Sequence, residues 1–260
     1  MDLADRTALV TGAARGIGRG IAVALAEAGC NLALADIAGT DELREQLDET
    51  RRQVEAIGRR GVAVQADVTN ELSVRSLVAE TERVFGQIDV LVNNAGVISR
   101  VPVVELTAEE FRRVLDVNVV GTFLCCKAVA PGMVARHEGS IVNLASIAGK
   151  HGAANVAHYC ASKFAVIGFT QSLALELAPA GVRVNAVCPG WLETHMWSDV
   201  LAPPSGERTT REQMETLARL RVPLGRIQTP ADIGQAVVYL CRAENVTGES
   251  HVVAGGLVMD

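Results

Sequence analysis

Short runs of β-branched and aliphatic residues alternate along this chain with longer stretches in which apolar residues recur every three or four positions. TALVT at 7–11 predicts a strand buried on both faces, and residues 17–28 predict the helix that follows it. A turn at Gly29 leads to a second strand ending at Asp36, then a polar helix over about 40–58 and a third strand, GVAVQAD, at 61–67. Residues 71–85 are helical, with Leu72, Leu77, Val78, Val84 and Phe85 as expected apolar anchors. IDVLVNNAG at 88–96 predicts a fourth strand running into a turn. Thr107 with Glu110 has the form of a capping box and opens one long helix toward His137. GSIVNLAS at 139–146 is the fifth strand, and a helix at about 157–178 stops before Pro179. GVRVNAVCPG at 181–190 is the sixth strand, Pro230 opens the last helix, and SHVVAG at 250–255 is the last strand.

Strands and helices in strict alternation predict βαβ units with right-handed crossovers. The expected fold is α/β: a doubly wound parallel sheet of about seven strands with helices on both faces. No shift of composition marks a second domain, so residues 1–260 read as one unit. Residues 191–222 are the long insertion between core elements and a candidate lid over a substrate.

Composition sharpens this picture in a few places. Aromatics are only 3% of the chain, so the core must be aliphatic, which suits parallel strands under helices better than a sandwich. A net charge of −6 argues against nucleic-acid or acidic-membrane partners. The pairs Arg51-Arg52, Arg59-Arg60 and Arg112-Arg113 read as solvated helix faces. The start resembles no signal peptide, and no apolar run reaches the roughly 20 residues of a membrane span, so a cytoplasmic protein is expected. Six cysteines without a CxxC pair read as buried or half-buried reduced thiols, and five scattered histidines predict no metal site.

Ligands of such a sheet bind beyond the carboxyl ends of its strands, which selects the residues to inspect. After the first strand comes TGAARGIG, residues 11–18. Gly12, Gly16 and Gly18 permit a sharp turn and the approach of a pyrophosphate to the next helix N-terminus. After the second strand, the Asp36 carboxylate can accept from both adenosine ribose hydroxyls and would repel a 2′-phosphate. That predicts NAD, with NADP as the second choice; Arg15 and Arg19 are the opposing signal, and a helix N-cap is the structural alternative for Asp36. Asp67 and Val68 follow the third strand, where an adenine ring would lie. Asn93, Asn94, Ala95 and Gly96 follow the fourth. In HYCASKFAV, Tyr159 and Lys163 are four apart, hence neighbours on one helix face.

Together TGAARGIG, Asp67, Asn93–Gly96, Asn118, Ser146, Tyr159-Cys-Ala-Ser-Lys163 and Pro189-Gly190 resemble the short-chain dehydrogenase/reductase family over nearly the whole chain. The resemblance implies a Rossmann fold and a catalytic set of Asn118, Ser146, Tyr159 and Lys163. Tyr159 would be the general acid/base. Lys163 would also hold the nicotinamide ribose, Ser146 would orient the substrate oxygen, and Asn118 would hold a water linking Lys163 to solvent. Cofactor contacts are implied for Gly12, Arg15, Gly16, Ile17, Gly18, Asp36, Asp67, Val68, Asn94, Ala95, Gly96, Tyr159, Lys163, Pro189 and Gly190, and for Thr194 in PGWLET. A free phenol titrates near pH 10, and bringing it to about 7 takes roughly 4 kcal/mol of differential interaction. A partly desolvated Lys163 and the positive ring of an oxidised nicotinamide could supply that.

This chain departs from the family at Ala254, where an acidic residue usually precedes the final Gly-Gly. His158 and Cys160, one residue from Tyr159, are expected to face elsewhere. The enoyl-reducing branch spaces its tyrosine and lysine more widely, and epimerases carry larger substrate domains. A non-catalytic nucleotide-binding regulator would be marked by loss of the tyrosine or lysine, and both are present. The expected activity is hydride transfer between NAD(H) and a secondary alcohol or ketone, the alternative being an NADP(H)-dependent 3-oxoacyl-type ketoreductase. Substrate choice should come from Val97–Arg100, Ile147–Val156 and 191–222, with Trp191, Met196 and Trp197 as apolar cover. The helices at about 107–136 and 157–178 carry apolar residues on more than one face, among them Phe123, Leu124, Val129, Met133, Phe164, Phe169 and Leu173. The family pairs subunits through these helices, so a homotetramer is expected.

Overall fold

The computed structural model describes residues 1–37, 39–192 and 210–259. Seven strands form one sheet: β1 (Thr7–Thr11), β2 (Asn31–Asp36), β3 (Gly61–Gln65), β4 (Val90–Asn93), β5 (Gly139–Leu144), β6 (Val182–Pro189) and β7 (Ser250–Val253). All pairings are parallel, in the order β3-β2-β1-β4-β5-β6-β7. Sequence order reverses between β1 and β4, so the strand ends open a crevice there.

Period-two side-chain alternation sorts the aliphatic runs into two cores. Ala8, Val10, Leu32, Leu34, Val90, Val92 and Val142 pack beneath α1 (Gly16–Glu27), α2 (Asp41–Ala56) and, much later in the chain, the helix Pro230–Arg242. Leu9, Ala33, Leu91, Ile141 and Val184 face the other way, against α3 (Glu71–Phe85) and the helices that follow β4 and β5. Leu72, an expected anchor of α3, is exposed, and Val74 is buried in its place.

The single helix expected over 107–137 is in fact three segments: α4 (Ala108–Leu115), a π turn (Asp116–Val120) and α5 (Gly121–Arg136). The capping box is half made. The Thr107 hydroxyl accepts from Glu110 N, but the Glu110 carboxylate turns to Ser99 and Arg113. Ala108–Arg136 is long and apolar enough to cross a membrane by length and composition. It packs on the sheet, however, through Leu124, Cys125, Cys126, Val129 and Met133.

After β5 a short 3-10 turn (Ile147–Gly149) precedes α6 (Ala157–Leu177), and α7 (Thr210–Arg221) and α8 (Pro230–Arg242) lie between β6 and β7. The two long helices divide their apolar residues as the sequence pattern requires. Leu124, Val129 and Met133 are buried, and Phe169 and Leu173 pack on that same core, whereas Phe123, Phe164 and Leu175 are exposed. The six cysteines are buried and none is in a disulfide.

Candidate active site

A cavity of about 930 Å³ runs across the carboxyl ends of β1 to β6. At the β2 and β3 end it is lined by Asp36, Ile37, Leu43, Asp67 and Val68, and in the middle by Gly12, Arg15 and Gly96. Ser146, Tyr159, Lys163 and Trp191 line the β5 and β6 end.

The glycine loop has a steric reason. Gly12 has φ +65°, and a Cβ at Gly18 would lie 2.0 Å from the Gly12 carbonyl oxygen. Only glycine lets the two backbones meet this way. Arg15, at the N-cap of α1, is extended and caps nothing with its side chain. The first-turn N–H groups of α1 are therefore left to a ligand, as a pyrophosphate requires.

Asn94 holds this loop. Its side-chain amide donates to the carbonyls of Thr11 (3.0 Å) and Gly12 (2.9 Å), while the Thr11 hydroxyl accepts from Asn94 N and Ala95 N (both 3.1 Å). The expected cofactor contact at Asn94 is thus, for its N–H donors, a brace between the ends of β1 and β4. Ala95 and Gly96 line the cavity beside it.

Asp36 is half-buried at the end of β2, and its carboxylate accepts from Ala14 N (3.0 Å) and Ile37 N (2.8 Å). It is not a helix cap, since Thr40 caps α2. Arg19 is spent inside the fold, on Thr50 Oγ1 and the carbonyls of Ala14 and Gln46. Arg15 is exposed on the cavity wall. Asp67 binds Thr69 N and Oγ1 through one oxygen, and Val68 packs on Gly121.

Tyr159 and Lys163 share one face of α6, with Nζ 5.6 Å from the phenol ring centroid. Lys163 is buried and donates to the Leu144 carbonyl at 2.8 Å. Burial pushes its pKa down to about 8, so the ammonium still carries its charge at neutral pH. Burial also pushes the Tyr159 phenol up to about 12, with hydrogen bonding to Ser146 acting the other way. The shift toward 7 expected for the phenol is therefore absent from the protein alone, because desolvation outweighs the hydrogen bond with Ser146. Ser146 accepts from Ala148 N at 3.1 Å, and its hydrogen bond with Tyr159 sets the two hydroxyls side by side in the cleft.

Asn118 sits in the π turn, buried, at a point where the helix must open to admit its side chain. Its amide donates to Val97 O (3.0 Å) and Ser162 Oγ (2.9 Å), and its Oδ1 accepts from Val97 N (2.8 Å). A Cβ on Gly96 would come 3.2 Å from Asn118 Oδ1 and 3.6 Å from Lys163 Nζ, so Gly96 keeps these groups close.

The family model described as enoyl-(acyl carrier protein) reductase matches residues 12–258. The 3-oxoacyl-(acyl-carrier-protein) reductase FabG of Staphylococcus aureus is 39% identical over 256 residues, 98% of each chain. Galactitol 2-dehydrogenase of Agrobacterium fabrum is 38% identical over 260 residues, again 98% of each chain. A short-chain type dehydrogenase/reductase from Mycobacterium marinum superposes with a TM-score of 0.88 at 32% identity, over 100% of this chain and 98% of that one. This chain belongs to the short-chain dehydrogenase/reductase family. It is an NAD(P)-dependent oxidoreductase that transfers hydride between the dinucleotide and an alcohol or ketone.

As in the sequence pattern of the family, Pro189 and Gly190 close the cleft after β6. Gly190 is pressed against Ala254, whose Cα would lie 2.9 Å from an added Cβ. The small Ala254 therefore touches the cleft-closing turn directly. From the segments expected to choose the substrate, Ile98, Arg100, His151, Ala153, Val156, Trp191 and Leu192 line the cavity. Thr194, Met196 and Trp197 lie outside the described residues. Arg113, read as part of a solvated face, is exposed and also lines the cleft, as does Val117. The packing of α4 and the π turn on α6 brings them there. Cys160 does not face fully away but packs with Ala148, Val156, Ile98 and Tyr159.

Proposed function

We propose that this enzyme is an NAD(H)-dependent secondary-alcohol dehydrogenase and ketone reductase with Tyr159 as its general acid/base. The observation that carries this reading is the convergence of Ser146, Tyr159 and Lys163 on one end of a cavity whose other end is walled by Asp36. The bound dinucleotide supplies the hydride acceptor or donor. Tyr159, protonated at neutral pH, holds the proton that a ketone oxygen takes up on reduction and receives it back on oxidation. Ser146, beside the phenol, donates to the same oxygen when substrate enters and fixes the carbonyl there. Lys163 keeps two protons for the nicotinamide ribose after its bond to Leu144 O. Asn118 braces Val97 and Ser162, and one remaining Oδ1 lone pair is left for the relay water. The spacing of Tyr159 and Lys163 sets this site apart from the enoyl-reducing branch.

NAD is favoured by Asp36, which repels a 2′-phosphate, and by the commitment of Arg19 to the fold. Steady-state rates with both dinucleotides test this. kcat/KM for NAD is expected to exceed that for NADP by about tenfold or more; a preference for NADP would overturn the role given to Asp36. One observation supports the second reading, an NADP(H)-dependent 3-oxoacyl-type ketoreductase: Arg15 stands exposed on the cavity wall, within the loop that receives the dinucleotide. A panel of secondary alcohols, polyols, ketones and a 3-oxoacyl thioester, followed by nicotinamide absorbance, separates the two.

The same reading makes 191–222 a lid. Trp191 and Arg221, at its two ends, both line the cavity. It also makes the enzyme a cytoplasmic homotetramer, with a dimer as the second choice. The exposed Phe123 and Phe164, on the helices that cover one face of the sheet, support subunit pairing. Sedimentation at low micromolar concentration is expected to give an assembly several times the 27.4 kDa chain; a monomer alone would remove the pairing.

A further inference from the structure

His158 is fully buried, one residue before Tyr159 on α6, and it belongs to none of the roles above. Its Nε2 lies 2.8 Å from Ser99 Oγ, and Ser99 Oγ in turn contacts Glu110 Oε1. The direction of this chain follows from proton counting. Arg113 grips both oxygens of Glu110 at 2.7 Å, and its charge and hydrogen bonds hold the carboxyl down at about 2. Glu110 is therefore an anion that can only accept. Ser99 has one proton, and Glu110 takes it. The Ser99 oxygen then accepts, so His158 must donate through Nε2–H.

What this chain holds is a wall of the cleft. Residues 97–101 follow β4 outside any helix or strand. Val97 is pinned by Asn118 at one end, and Val101 N donates to Asn155 O (2.8 Å) at the other. Between these anchors Ile98 and Arg100 line the cavity, while Ser99 between them bonds to the far side. Ser99 gives the middle of the wall a hydrogen-bonded tether, and α6 reaches that tether through His158.

We propose that His158 is a positioning residue that sets the substrate wall Ile98–Arg100 against Tyr159, by donating Nε2–H through Ser99 to the Glu110–Arg113 pair. The residue that leads into the acid/base on the helix thus also fixes the surface on which a substrate rests. The inference rests on the reading of Tyr159 as acid/base, and its test is independent of that reading.

The test uses the full-length enzyme with His158→Leu, which fills similar volume without a donor, and His158→Gln, whose amide can still donate to Ser99. Circular dichroism and thermal melting establish that each variant folds. His158→Leu is expected to raise KM for the alcohol or ketone by about ten- to a hundredfold, with kcat changed far less and the dinucleotide Kd unchanged. His158→Gln is expected to restore most of the loss. Ser99→Ala is expected to match His158→Leu, and the two combined to cost no more than either alone, because they break one chain. Two-bond proton–nitrogen NMR of the imidazole, which needs no activity, is expected to show the neutral Nε2–H form at pH 7. Additive losses, no rescue by Gln, or an Nδ1–H imidazole would each overturn the proposal. If it fails while Tyr159→Phe still abolishes turnover, the acid/base reading stands alone.

Discussion

Tyr159→Phe is expected to lower kcat by about 10²–10⁴-fold, the range over which a positioned proton donor contributes. The ring remains, so its packing against Cys160, Val156 and Ala148 is kept. Only the phenol oxygen is lost, and stability should change by no more than about 1 kcal/mol. Dinucleotide affinity, measured by fluorescence titration, should be unaffected to first order, since the glycine loop and Asp36 are untouched. The pH dependence carries a sign. In the free enzyme the phenol is pushed up to about 12, so reduction, which needs the protonated form, is well served at neutral pH. Oxidation needs the phenolate, and its kcat/KM should climb as pH rises from neutral. A folded Phe variant with near-normal turnover would show that another group moves the proton.

Lys163→Met is expected to reduce kcat by on the order of 10²-fold or more, by removing the cation beside the phenol and the donor to the ribose. Its effect on stability should depend on pH in the opposite sense from an ordinary salt-bridged lysine. Burial lowers the folded pKa of Lys163 to about 8, below the 10.5 of an exposed lysine. Below pH 8 the group is charged in both states, and the native state bears the full cost of burying that charge. Between about 8 and 10.5 the unfolded chain binds the extra proton, so wild-type stability rises with pH through this window. Met has no such titration. Denaturant unfolding at pH 7 and pH 10 should therefore show wild type gaining on Lys163→Met. A wild-type stability that, relative to Lys163→Met, stays level or falls between these two pH values would mean that Lys163 is not desolvated in solution.

The elements of this fold were legible because both of its periodicities are local. Aliphatic runs such as TALVT need no partner to be read as doubly buried strands, and each found its place within a residue or two at the ends. The failures are equally specific. The helix expected to run unbroken from Thr107 contains a π turn, which places Asn118 beside Val97 and Ser162. Nothing in DVNVV itself demands that turn, because the reward for it lies in the segment after β4 and in α6. The same holds for Glu110, which left its capping role for Ser99 and Arg113.

At the site, the sequence by itself determined the chemistry on offer. Three glycines at a strand–helix junction, an aspartate at the end of β2, and a tyrosine four residues before a lysine are constraints of backbone sterics and helix geometry. Tertiary structure alone decided how each group is employed. It committed Arg19 to Thr50, Ala14 and Gln46, and the Asn94 amide to Thr11 and Gly12. It brought Arg113 to the cleft and His158 to Ser99. It also raised the phenol and lowered the ammonium, since both shifts come from desolvation. Hydrogen-bond partners distant in the chain and the loss of water around a charge are properties of packing, and no spacing along the sequence encodes them.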